Sequence, residues 1–334
     1  MRFEKKTKKI DLKGNGMINL DRNSIVQYHR ESNNCFQDVL GMILVNNGMN
    51  PLNMYIGCLN FGYKKDARLF GERITPSRDG MWLDSTILDS VFATTGMVLQ
   101  ERKGKNYSDI LIDFERSKQG IILEVDVFNC EWHVFFRKIH SLHYCWVIGM
   151  EHNQFICALP YGEKIGSYGV KLNSTYNYYI YDFVTNDKKL DCYDILYATY
   201  AKCIGGDNKI SDLEQMYMFR NDVFRNKLDL ELERDGYSEI VNIPIVRVLE
   251  WVLWSRMNYH DMLVYYDKNR VCINLISEFE KVIEIWKGIK NFIIIEFMRE
   301  HRIVNDEIVE YIDEAIEQEL LILKNIGVLV AHKI

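Results

Sequence analysis

The sequence predicts an α+β fold: short helices and an antiparallel sheet over residues 1–205, then a helical region over 206–334. Three observations carry this. From His133 to Tyr200 the chain is rich in aromatic and β-branched runs, HVFFRKI, HYCWVIGM, QFICAL, YGVKL, NYYIYDFV and DILYATY, which read as strands. From Asp212 almost to the end the apolar residues recur at helical spacing. Between the two, Gly205-Gly206-Asp207-Asn208 has turn composition and no following GK[ST], so it reads as a junction rather than a phosphate loop.

The first helix is placed at CFQDVLGMILVNN, where Phe36, Val39, Leu40, Ile43 and Leu44 share a face and Gly48 suits the position just past the end. Trp82 to Thr94 and Tyr107 to Ser117 read as further helices, followed by strands at Met97 to Gln100 and Ile121 to Val127. Glu151 to Gln154 separates HYCWVIGM from QFICAL, which predicts a hairpin. Polar breaks near Gly236, at Asp267 to Asn269 and at Asn305-Asp306 divide the C-terminal region into about four amphipathic helices. No repeat or low-complexity stretch interrupts the pattern.

A chain of 334 residues that is 48% hydrophobic and 26% charged can bury a substantial core. Its net charge of −6 gives no overall attraction to phosphate, so neither nucleic acid nor an anionic membrane is expected as a partner. The start, MRFEKKTKK, is locally basic, without the apolar stretch of a signal peptide, and a cytoplasmic location is expected. No apolar run approaches the ~20 residues of a membrane helix. The 8 cysteines lack CxxC spacing, which predicts free thiols, most of them small buried hydrophobes.

One cysteine stands apart. Cys35 opens a helix, where unpaired N–H groups and the macrodipole favour thiolate over thiol. A cysteine in such a place is more often a buried residue than a catalyst, but His143, opening the strand hairpin downstream, supplies the partner that a nucleophilic thiol requires. Gln27, Asn33 and Asn34 are candidate donors to an oxyanion.

HYCWVIGMEHNQFICALPYG resembles the histidine hairpin of papain-like cysteine proteins, and NNCFQDVLGMILVNNGMNPLNMYIGCLNFGY resembles the start of the butirosin-biosynthesis protein H family. The resemblance spans about residues 25 to 165. It implies a papain-like catalytic domain and an acyltransferase or amide synthetase of natural-product assembly, similar in kind to the amide synthetase of closthioamide biosynthesis. Such an enzyme needs no bound cofactor: phosphopantetheine arrives only on the donor, an acyl or peptidyl carrier protein, and a small-molecule amine is the acceptor. Cys35 would attack the thioester and His143 would serve as base, then acid. The chain departs from the pattern at Leu159-Pro160, where relatives carry Asp-Pro to orient the histidine. Asn153, Glu163 or Asp182 could orient it instead, a Cys-His dyad could suffice, or catalysis is lost. Peptidase or thioester hydrolase chemistry uses the same pair, and a non-catalytic papain-fold binding protein is the third reading.

Cys130, His133, His140 and His143 have loose metal-ligand spacing, but a regular strand would send His140 and His143 to opposite faces, and no metal is expected. Trp251, Trp254, Trp286, Tyr259, Tyr265 and Tyr266 fit a buried stripe, with an acyl channel as the lesser alternative. The apolar face of Glu307 to Lys324 could pack on its own bundle or on a second subunit of a homo-oligomer. The lysines near the start could meet an acidic carrier protein, but a solvated lysine tail is the commoner explanation.

Overall fold

The computed structural model describes residues 25–75, 85–117, 119–131, 133–152, 154–159, 165–168, 175–184, 190–204, 210–301 and 306–331. In chain order the elements are α1 (Cys35–Asn46), β1 (Gly62–Tyr63), α2 (Phe70–Arg73), β2 (Ile74–Thr75), α3 (Ser85–Thr95), β3 (Met97–Lys105), α4 (Tyr107–Arg116), β4 (Ile121–Asp126), β5 (Leu142–Glu151), β6 (Gln154–Ala158), β7 (Ile165–Tyr168) and β8 (Tyr176–Phe183). Six helices follow: α5 (Cys192–Cys203), α6 (Asp212–Asn226), α7 (Leu230–Arg234), α8 (Pro244–Tyr266), α9 (Ile273–Met298) and α10 (Glu307–Ala331). The protein is α+β. It forms two compact units, one of residues 1–51 and 95–186, the other of 52–94 and 187–334. The junction expected at Gly205-Gly206 lies outside the described residues, and the change of unit falls earlier, at 186–187.

The first unit is built on a six-stranded sheet in the order β3-β8-β4-β5-β6-β7, with every pairing antiparallel. Alternation along the strands divides its side chains between two faces. On one face Ile121, Leu123, Val125, Cys145, Val147, Phe155, Cys157, Leu159 and Tyr178 form a core with Ile110 and Phe114 of α4. On the other, Phe36 of α1 meets Tyr144 and Tyr179 edge-on, at 5.0 and 5.2 Å between ring centres. Residues 39 to 44 of α1 are all buried, as suits a helix that is apolar around most of its circumference. The hairpin β5–β6 forms as expected, with Glu151 opposite Gln154.

The second unit is mainly helical. Its centre holds Trp286, stacked on Phe61 at 5.8 Å, and a buried ion pair in which Arg256 Nε donates to Glu319 Oε1 at 2.8 Å. Trp286 Nε1 donates to the same carboxylate oxygen at 3.0 Å. Tyr259 and Trp286 are core residues as expected, whereas Tyr265 is exposed. The apolar face of α10 packs on the unit's own helices, with Ile308, Ile312, Ala315, Ile316, Ile322 and Ile326 buried.

Two segments read as strands are not strands. DILYATY lies in α5, because Asp191 caps that helix in a reciprocal capping box with Asp194, and Ile195, Leu196, Thr199 and Cys203 then share a buried face. HVFFRKI forms successive turns, with Phe136 N–H donating to His133 O and Lys138 N–H to Phe135 O. The Asp126 carboxylate closes this connection by accepting from the N–H groups of Phe128 and Ser141. Val134, Phe135, Ile139 and Leu142 are left exposed.

Candidate active site

Cys35 is the first residue of α1. The Asn34 side chain accepts from Gln37 N–H at 2.9 Å while the Gln37 side chain accepts from Asn34 N–H at 3.0 Å, so a full capping box fixes the helix start and the cysteine with it. Three backbone N–H groups face the sulfur: those of Cys35 and Phe36 in the first turn, and that of Tyr144 in β5. Tyr144 follows His143, which the ladder pairs with Val125. The contact from α1 to β5 therefore runs through the Tyr144 backbone. Alternation sends the Tyr144 ring to the α1 face and directs His143 toward the face of Cys145.

The protonation states differ from the thiolate expected at a helix start. Burial pushes the Cys35 thiol above its ordinary value, and the negative charge of Asp38 adds to this, outweighing the three N–H groups that pull it down. Burial of the His143 ring, with the neighbouring His133 imidazole 5.3 Å away between ring centres, lowers its pKa to about 4. At neutral pH a neutral thiol and a neutral imidazole occupy this end of β5.

Asp38 is the functional neighbour that periodicity does not reveal. It lies one turn below Cys35, is fully buried, and accepts from Asn33 Nδ2 at 2.7 Å and Arg30 N–H at 3.2 Å, with His29 Nδ1 at 2.7 Å from its other oxygen. Burial raises its carboxyl pKa while the His29 and Asn33 contacts lower it. A lone acid inside the apolar run FQDVLGMILV was its only signal in the sequence. This network anchors the segment leading into the helix, and it changes one of the expected roles. The Asn33 side-chain amide donates to Asp38, whereas Asn34 caps the helix through its side-chain oxygen and not through its amide N–H groups. Gln27 is exposed.

Of the three residues proposed to orient His143, the one that is described, Asp182, lies far from it. Asn153 and Glu163 lie outside the described residues. Asp182 is exposed on β8 opposite Val98 of the edge strand β3. Tyr178 is level with Leu123 and Cys145, and from that row Asp182 lies four residues one way and His143 two the other, about 20 Å apart along the strands. Leu159 is packed into the sheet core.

The metal pattern is not assembled either. Cys130 Sγ donates to Asp126 O in the core, and His140 pairs with the Asp126 carboxylate at 2.7 Å while stacking on Phe128. Among the described residues, the one group of potential metal ligands that converges is Cys192, Asp267 and Cys272, in the helical unit. No helix is long and apolar enough to cross a membrane among those described. Neither a known family model nor a curated protein matches this chain.

Proposed function

We propose that the protein is a papain-like cysteine acyltransferase that forms amides, taking an acyl group from a carrier-protein thioester through an acyl-Cys35 intermediate. The supporting observation is the meeting of the α1 start with the His143 strand, where the Tyr144 N–H reaches the Cys35 sulfur. A helix-borne cysteine packed on an antiparallel sheet, against the strand that a histidine begins, supplies the two groups that acyl-thiol chemistry needs. The carrier-bound phosphopantetheine donor and the amine acceptor follow from the resemblance of residues 25 to 165.

In this reading the His143 ring, which strand alternation directs to the sheet face opposite α1, turns toward Cys35 and takes its proton as the sulfur attacks the thioester carbonyl. First-turn N–H groups stabilise the oxyanion. The bond to the donor sulfur breaks, and His143 returns the proton to the departing thiolate. An amine then attacks the acyl-cysteine, releasing the amide and restoring the thiol. Because the resting pair is neutral, the proton moves only as the substrate adds, which protects a waiting thiol from adventitious electrophiles.

Incubation with an N-acetylcysteamine thioester and a primary amine tests the assignment. Amide as the main product, absent with Cys35→Ala, supports it. Free acid despite saturating amine indicates a thioester hydrolase or peptidase. A second reading, a papain-fold binding protein without catalysis, is favoured by the burial of Leu159 where an orienting acid would stand. Product formation unchanged by Cys35→Ala, or none with either protein, would favour that reading.

A further inference from the structure

Cys192 and Cys272 are brought together within the helical unit from positions 80 residues apart, with their sulfurs 3.1 Å from one another. Both are reduced and both are buried. Each stands at the start of a helix: Cys192 is the first residue of α5, behind its Asp191 cap, and Cys272 is the N-cap of α9. The turn before α9 is locked by Asp267, whose two carboxylate oxygens accept from Val271 N–H at 2.7 Å and Cys272 N–H at 2.9 Å. These elements hold the two thiols face to face.

We infer that Cys192 and Cys272 form a reversible, peroxide-sensitive dithiol–disulfide pair that ties the start of α5 to the α8–α9 connection. The sulfurs need close by only about 1 Å to reach disulfide length. A shared zinc ion fits less well. Two thiolates on one tetrahedral zinc stand about 3.8 Å apart, the cluster offers three ligands rather than four, and its carboxylate is already committed to the turn.

The two sulfurs share one hydrogen bond in which either can donate, and the donor favours the thiolate form of its partner. Cys192, 9% exposed against 0% for Cys272, is the sulfur that peroxide reaches, and it is the thiolate that attacks. Its sulfur takes one oxygen of hydrogen peroxide as the O–O bond breaks, giving a sulfenic acid and hydroxide. The Cys272 thiol then attacks that sulfur. The S–S bond forms, the S–O bond breaks, and water leaves carrying the Cys272 proton, so two electrons pass from the thiols to the peroxide. A dithiol reductant reverses the bond by exchange. Cys130 and Cys203 behave differently: burial pushes both up to about 12, which makes them poor nucleophiles.

The test is to treat the full-length protein with graded hydrogen peroxide, cap free thiols with N-ethylmaleimide and identify linked peptides by mass spectrometry. The expected result is one Cys192–Cys272 linkage that appears at lower peroxide than any other cysteine modification, disappears with dithiothreitol, and raises Tm by several degrees. In Cys272→Ser, Cys192 should instead be trapped by dimedone as sulfenic acid. If peroxide leaves both thiols open to capping in the wild-type protein, or if the purified protein carries one equivalent of zinc that Cys192→Ser loses, the inference is wrong.

Discussion

The backbone N–H of Tyr144 reaches the sulfur of Cys35, so the residue after the candidate base, rather than the base itself, contacts the candidate nucleophile. That N–H favours thiolate, yet burial and Asp38 keep the thiol protonated. Alkylation by iodoacetamide measured against pH should therefore show Cys35 unreactive at pH 7 and rising only in the alkaline range. Asp38→Asn removes the nearby charge and should speed the reaction severalfold at any given pH, with near-UV circular dichroism confirming the fold. An unchanged profile would remove Asp38 from the electrostatics of the site.

His143 should remain neutral down to about pH 4. Its folded pKa lies below the unfolded value near 6.5, so its contribution to stability is complete above about pH 6.5 and is lost as pH falls toward 4. The loss is on the order of 3 kcal/mol. NMR titration of the ring, with urea unfolding of wild type and His143→Gln between pH 4 and 7, checks both. A ring that titrates near 6.5 contradicts the burial argument.

Glu233 gives the opposite slope. Its carboxylate lies at the start of α2, accepting from the N–H groups of Phe70 and Gly71, and burial raises its pKa to about 7. The folded state then holds the proton more tightly than the unfolded one. Stability from this group should fall as pH rises from about 4.5 through 7. Glu233→Gln keeps an acceptor for the two N–H groups and should flatten that fall, measured as urea midpoints from pH 4.5 to 8.

The Arg256–Glu319 pair should be costly to break from one side. Glu319→Ala leaves a buried guanidinium and the Trp286 N–H without their shared acceptor. A loss of about 3–5 kcal/mol in chemical denaturation is expected, against a smaller loss for Glu319→Gln.

Much of the fold was legible because periodicity reports burial directly. The start of α1 at Cys35, its end before Gly48 at φ +72°, and the β5–β6 hairpin follow from local pattern alone. DILYATY misled because Ile, Tyr and Thr favour strands, while the deciding feature is the Asp191–Asp194 capping box outside the apolar run. HVFFRKI has strand composition, but Asp126 folds it into turns through contacts that no periodicity encodes.

The site was only partly legible. A cysteine beginning a helix and a histidine beginning a strand can be seen in a sequence, but which way the histidine faces cannot: the start of α1 packs on the end of β5 that carries His143, and alternation directs the His143 ring to the other face. The distance of Asp182 from His143 depends on strand order, since β8 lies beyond β4 from β5. The protonation of Cys35 depends on how deeply it is buried and on a charge one turn away, neither of which its own helix position reveals.

The most direct measurement of the central claim is intact-protein mass spectrometry after brief exposure to an aryl N-acetylcysteamine thioester, with the adduct located by peptide mapping. One acyl group on Cys35 is expected, discharged by added amine and absent in Cys35→Ala, with accumulation sharply slowed in His143→Ala. An unmodified Cys35 in the folded wild-type protein, or acylation at the same rate without His143, would contradict it.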